Sequence, residues 1–290
     1  MDSLPDEILL TIVSFIDPNN WRSTQFANFR LISRRYARIG AQVMFESFQF
    51  HPTTFALERM RGVVATGLDR WITCLDYDGD TVDRNGNHSA LQTTVFGDIV
   101  LGLARAKSNF TWVAAWNLHA AVFSVVDLAP ACSNITMLDL HFSGVTLTPE
   151  FLPRVKAFTQ SLVQLEMLTL SFGFLDYERD HDPPRLDTHV WPKLRCMVLD
   201  YVVARESEMV ALMQNHAATL RCFHFKGVKL EDGDWRRVFT QVARIEHLKH
   251  GSLSCLNNLR ILDDEVAWIV EMEGQNRKVE IMTNLAKWLK

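Results

Sequence analysis

The chain has 290 residues, of which 48% are hydrophobic and 22% charged, the balance of a soluble globular protein with one large domain or two small ones. A formal net charge of −4 and a pI near 6.2 supply no basic field that would draw it to nucleic acid or an anionic membrane. Its apolar runs break well short of the roughly 20 residues a bilayer span needs, and the start lacks the basic, apolar and small-residue segments of a secretion signal.

The first stretch, MDSLPDEILLTIVSFID, predicts a helix. Pro5 is tolerated in a first turn, where its missing N–H goes unused. Ser3 and Asp6 have capping-box spacing, and Asp6 and Glu7 sit at the positive end of the helix dipole. Ile8, Leu9, Ile12, Phe15 and Ile16 fall on one side, with Leu10 and Val13 on the other. A short helix that is apolar on nearly all faces must be covered on all of them. One domain covers only part of it, so a second protein is expected to cover the rest. A second helical pattern runs through Phe26, Phe29, Ile32, Tyr36, Ile39 and Val43, with Arg30, Arg34, Arg35 and Arg38 mostly on its other side.

Leu4-Pro5-Asp6-Glu7-Ile8, the turn Asp17-Pro18-Asn19-Asn20 and then Phe29-Arg30-Leu31-Ile32-Ser33-Arg34-Arg35-Tyr36 together resemble an F-box. The match covers residues 3 to about 42. The resemblance implies a three-helix module at 1–42 that joins a Skp-family adaptor and, through it, a cullin–RING ubiquitin ligase. On it, Leu4, Pro5, Ile8, Leu9 and Ile12 are the expected adaptor contacts. The alternative is an ordinary helical cap on a repeat domain.

Beyond this module an internal period recurs. An apolar residue, two others, an apolar residue, one other and an apolar residue appear as Ile135/Leu138/Leu140, Leu165/Leu168/Leu170, Leu194/Met197/Leu199 and Leu220/Phe223/Phe225, at intervals of 30, 29 and 26 residues. Phe45/Phe48/Phe50 and Ile72/Leu75/Tyr77 fit the same template. The alternating end of each unit predicts a short strand with one face inward. Helical patterns lie between: Phe151 to Leu162, Met209 to Ala217 behind Glu206 and Glu208, and Trp235 to Ile245 opened by Asp232-Gly233-Asp234.

Strand then helix at a near-constant period resembles degenerate leucine-rich repeats, in which each unit closes its core by stacking on its neighbours. The asparagine step usual after the strand is replaced by Ser171, Asp200 and Lys226. The expected fold class is therefore α/β, an N-terminal three-helix F-box followed at 43–290 by an irregular leucine-rich-repeat-like solenoid. An irregular α/β domain whose strands alternate with helices is the alternative.

Residues 78–87 are turn-rich, and Val82 breaks any calcium-loop pattern. Residues 95–107 and 117–131 read as helices, with a strand at Phe110–Val113 between them. The charged stretch 177–188 reads as a loop between repeats, and an amphipathic tail from Glu265 reads as a terminal cap. The five cysteines, Cys74, Cys132, Cys196, Cys222 and Cys255, are scattered and odd in number, which predicts reduced thiols in a cytoplasmic or nuclear protein, with Cys132, Cys196 and Cys222 as small buried hydrophobes.

No nucleophile elbow, phosphate loop, dinucleotide fingerprint or HExxH is present, and His181, Asp182, His189 and Cys196 lack zinc-ligand spacing, so no catalytic residue, metal or cofactor is assigned. Of the eight tryptophans most suit packing, while an exposed one or two suit a partner anchor. The sequence thus reads as a ubiquitin-ligase substrate receptor rather than an enzyme. The outward strand positions Asp139, His141, Thr169, Ser171, Val198, Asp200, His224 and Lys226 form the expected ribbon for an unidentified protein substrate. A non-degradative F-box scaffold, or an enzyme with an unrecognised site, are the competing readings.

Overall fold

The structure is a computed structural model that describes residues 4–14, 28, 31–79, 90–118, 122–125, 128–142, 151–172 and 189–254. The expectations for 80–87, for the 177–188 stretch and for the tail lie outside the described residues, as do Ser3, Phe26, Phe29 and Arg30.

Two helices, α1 (Asp6–Ser14) and α2 (Arg34–Met44), begin the described chain. They share a small core of Leu9, Val13, Tyr36 and Ile39, lined at its edge by Leu4, Leu10, Val43 and Met44. Ser33 caps α2, its side chain accepting the Tyr36 N–H at 3.3 Å. Asp6 is held across the pair by Arg35 Nε at 2.7 Å and Arg38 Nη2 at 2.6 Å, and Arg35 also donates to the Leu4 carbonyl. Arg35 and Arg38, which the sequence puts mostly on the side away from the apolar pattern, thus tie the two helices together.

Two residues after the α2 cap at Phe45, the chain enters a parallel eight-stranded sheet. Its strands are β1 (Ser47–Phe50), β2 (Cys74–Asp78), β3 (Trp112–Trp116), β4 (Met137–His141), β5 (Met167–Ser171), β6 (Cys196–Asp200), β8 (Cys222–Lys226) and β10 (His250–Ser254), side by side in that order. The short strands β7 (Val203–Ala204) and β9 (Lys229–Leu230) pair with one another alone. Helices alternate with the strands: α3 (Thr54–Ala65), α4 (Ala90–Arg105), α5 (Val122–Val125), α6 (Phe151–Ser161), α7 (Glu206–Asn215) and α8 (Trp235–Ala243).

Parallel neighbours need a crossover, and a helix is described in each connection except β5 to β6, most of which lies outside the described residues. The carbonyls of Glu46, Thr73, Thr111, Thr136, Glu166, Arg195 and Arg221 each accept two backbone N–H groups from the start of the next strand. This repeated rung fixes the register, so every second side chain points to the same face along the whole sheet. Phe48, Leu75, Val113, Leu138, Leu168, Met197 and Phe223 make one inward row, and Phe50, Tyr77, Ala115, Leu140, Leu170, Leu199 and Phe225 a second. Helix residues such as Met60, Ile99, Val155, Leu212 and Val238 close one continuous core over these rows.

Aromatic residues stand just past two of the strands. Phe142 and Phe172 donate their N–H to Ser171 and Asp200 carbonyls and stack at 5.2 Å between ring centroids. The helix expected over 117–131 is corrected. Asn117, with φ +53°, turns the chain out of β3, and Leu118 N–H pairs with the His141 carbonyl. In place of one long helix stand the short α5 and a 3-10 turn at Pro130–Cys132. Asp234 caps α8 by accepting the Arg236 N–H at 2.9 Å, as its sequence pattern implied.

The thiol expectation is corrected for one pair. Cys196 and Cys222 stand directly opposite each other on β6 and β8, Cα atoms 4.7 Å apart, and form a disulfide. Both lie half-buried on the face away from the helices rather than in the core. Cys132 is buried as expected, and desolvation pushes its thiol up to about 12.

Candidate functional site

Two surfaces carry residues singled out by the sequence, and the first is α1. Its burial is one-sided. Leu9 and Val13 are buried against Tyr36 and Ile39, whereas Ile8 and Ile12 are 47% and 42% exposed. Pro5 is exposed and Leu4 half-buried. Just before α2, Leu31 and Ile32 are exposed as well, Leu31 by 81%. Of the five expected adaptor contacts, then, Pro5, Ile8 and Ile12 face outward, Leu4 lies at the rim, and Leu9 belongs to the helix-pair core. The full amphipathic split is not visible in a sequence whose residues are apolar on both sides of the helix.

The second surface is the outer face of the sheet. The register makes three rows. Nearest the strand starts run Cys74, Trp112, Met137, Met167, Cys196 and Cys222. The middle row holds Gln49, Asp76, Ala114, Asp139, Thr169, Val198 and His224. The third holds Asp78, Trp116, His141, Ser171, Asp200 and Lys226, with Asp78 beside Trp116 and His141 through Lys226 in continuous register. The sequence pattern locates the middle and third rows from β4 to β8, but their members are not equally accessible. Thr169 and Ser171 are buried, Asp139, His141, Val198, Asp200 and His224 half-buried, and Lys226 exposed.

No family model matches the chain, and no curated protein matches it in sequence. Its chemistry must be read from the surface itself.

That surface is electrostatically uneven. His141 Nε2–H donates to Asp139 at 2.7 Å, and its ring lies flat on Trp116 with centroids 3.7 Å apart. Asp200 sits 3.9 Å from His224 Nε2, too far for a hydrogen bond, and burial raises its carboxyl pKa against the lowering pull of His224 and Lys226. Lys226 Nζ instead lies over the Tyr201 ring at 5.7 Å. Burial also raises the Asp76 carboxyl; Gln49 opposes this by a hydrogen bond, and Asp78 and Asp139 reinforce it by like-charge repulsion.

Beside these carboxylates, at the β1–β3 end, lies an open cavity of about 460 Å³ lined by Gln49, Phe50, His51, Asp76, Asp78, Trp116 and Asn117. Asn117 donates to Asp78 Oδ1 at 3.1 Å, and His51 Nδ1 donates to the Asp78 carbonyl, also at 3.1 Å. Gly79 lets the chain pass close by, since a Cβ there would collide with the Asn117 carbonyl. The lining carries acids, amides, an imidazole and an indole, a set suited to binding cations and hydrogen-bond donors. Among the described residues, its lining holds no hydroxyl or thiol nucleophile next to a base. Among the described residues, no group of three or more His, Cys, Asp or Glu is placed to hold a metal ion.

The sequence reading misses this end of the face. Gln49, Asp76 and Asp78 occupy outward positions on strands whose inward residues fit the repeat template, so the alternation that locates Asp139 would locate them too. Among the described residues, Trp112 and Trp116, 38% and 43% exposed on one strand, are the exposed tryptophans.

Proposed function

We propose that this chain is the substrate-recognition subunit of a Skp–cullin–F-box ubiquitin ligase, with an F-box at 1–42 and a leucine-rich-repeat-like domain at 43–290. The first would hold a Skp-family adaptor and the second a protein substrate. The chain would contribute proximity, turning a bimolecular encounter between substrate and ligase into an effectively intramolecular one.

One observation carries the reading: the helix that begins the F-box-like motif buries Leu9 and Val13 on one side and leaves Ile8 and Ile12 open on the other. Exposed large aliphatics on one short helix mark a surface built to be covered. The order of the second region supports the rest. Strand, short bridge and helix recur at Cys196–Asp200, Val203–Ala204 and Glu206–Asn215, and again at Cys222–Lys226, Lys229–Leu230 and Trp235–Ala243, each unit stacked on the one before.

Affinity purification of the full chain and of a chain lacking the first 45 residues or so separates the two roles. The full chain recovers adaptor and cargo together, and the shortened chain recovers cargo alone. Recovery of a Skp-type adaptor by the shortened chain, or by neither, refutes the assignment.

A further inference from the structure

The outer face is least like an ordinary sheet surface at β2–β4. Trp112 and Trp116 project from the same strand four residues apart, about 13 Å along an extended chain, and both are substantially exposed. Between them stands Ala114, buried among the side chains around it. In register, Asp76 flanks Ala114 on one side and Asp139 on the other, two strand spacings or about 10 Å apart. Asp78 stands beside Trp116 on β2, and the His141 ring backs the Trp116 indole from β4.

The described partners of these carboxylates leave negative charge in place. Gln49 donates to Asp76, Asn117 to Asp78, and His141 to Asp139. Among the described residues, no lysine or arginine forms an ion pair with Asp76 or Asp139. Half-buried carboxylates on the strands either side of β3, beside its two part-exposed tryptophans, favour a flat or compact cation through charge and through the ring quadrupoles.

We infer that the patch framed by Trp112, Trp116, Asp76 and Asp139 binds an extended basic segment of a protein partner, seating an Arg or Lys side chain in the open cavity beside Asp76, Asp78 and Trp116. A peptide is favoured over a small cation by extent. The aromatic and acidic groups continue past Ala114 into the 460 Å³ cavity lined by Asp76, Asp78 and Trp116, and alternate side chains of an extended peptide recur about every 7 Å, the step from Ala114 to Trp116. The inference deepens the receptor reading by naming the chemistry the outer face selects, and it rests on that reading for the partner being a protein substrate.

The test uses the full chain and a fluorescent synthetic peptide of alternating Arg and Ser, with a Glu–Ser peptide and spermine as comparisons, read by fluorescence polarisation. The Arg–Ser peptide binds, the Glu–Ser peptide does not, and affinity falls with added salt. Asp76→Asn combined with Asp139→Asn weakens binding about tenfold or more, and Trp116→Ala does so separately. Adaptor binding stays unchanged in these variants, and their thermal unfolding remains cooperative, which separates loss of the site from loss of the fold. Equal affinity of all variants for the Arg–Ser peptide overturns the inference. So does spermine binding as tightly as the peptide with no loss in Trp116→Ala, which reduces the site to a general acidic patch. Peptide binding by a chain that takes no adaptor would refute the receptor reading and leave the basic-segment site standing.

Discussion

The helix pair at 4–44 and the strand–helix stack at 47–254 solve the same burial problem to different degrees. The stack closes its core. Each inward row runs through seven strands or more, and the described helices pack over it in one continuous core. The helix pair has four fully buried apolar residues and leaves as many large aliphatics, Ile8, Ile12, Leu31 and Ile32, in water. A repeat covers its neighbour, whereas two short helices cover only the surface between them. The stack therefore hides its inward rows, and the pair keeps part of its apolar surface in water.

The largest expected effect is in the stack. Trp191 is fully buried, its indole N–H donates to the Thr159 carbonyl at 2.8 Å, and its backbone N–H donates to His216 Nε2 at 3.1 Å. Trp191→Ala should cost about 3–5 kcal/mol by chemical denaturation, while a comparable truncation in the pair, Ile12→Ala, should cost little because that side chain is already half in water. Equal losses at the two positions would erase the distinction between the regions.

The disulfide comes next. Cys196 and Cys222 close a loop of 26 residues between adjacent units, a constraint worth about 3 kcal/mol. A reductant should lower the unfolding midpoint of the stack and leave the Cys196→Ser/Cys222→Ser variant unmoved; a midpoint indifferent to reductant in the parent chain would remove the staple from the account.

A smaller effect comes from His216. Its Nδ1–H donates to the Leu212 carbonyl at 2.9 Å while Nε2 accepts from Trp191, so the buried ring is held neutral. Burial lowers its pKa, and burial also lowers that of His189 beside Trp191. The unfolded chain then binds more protons than the folded one as the pH drops. Stability is full above the ordinary histidine value of about 6.5 and is lost as the pH falls below it. Melting curves across that range should show the decline, and His216→Gln should flatten it.

The smallest effect belongs to the pair. Arg35 and Arg38 hold the Asp6 carboxyl below its usual range, but the group is open to solvent. Asp6→Asn should loosen α1 slightly, an effect that added salt conceals, visible as faster amide exchange in α1 and not in the stack.

The legibility of the sequence divides along the same line. Six strands are readable from Leu-x-x-Leu-x-Leu spacing because a face packed by a continuous core leaves strict alternation in the residues. Strand β10 escapes because Gly251 takes the inward place opposite Phe223, whose ring would lie 2.8 Å from any Cβ there. Helix α3 goes unread although its buried Ala56, Met60 and Val63 recur at helical spacing. The Cys196–Cys222 bridge is not readable from a count of five cysteines, since it depends on the 26-residue register that brings two strand starts together. The site is half visible. Asp139 and His141 come from alternation, but the Trp116–His141 stack and the Asp76–Ala114–Asp139 row exist only once strands distant in sequence lie side by side.

The most direct measurement is calorimetric titration of a purified Skp-type adaptor into the full chain and into its Ile8→Asp/Ile12→Asp variant. The account predicts tight binding by the parent chain, no measurable heat from the variant, and identical unfolding of the stack in both. Undiminished binding by the variant, or none by the parent chain, would contradict it.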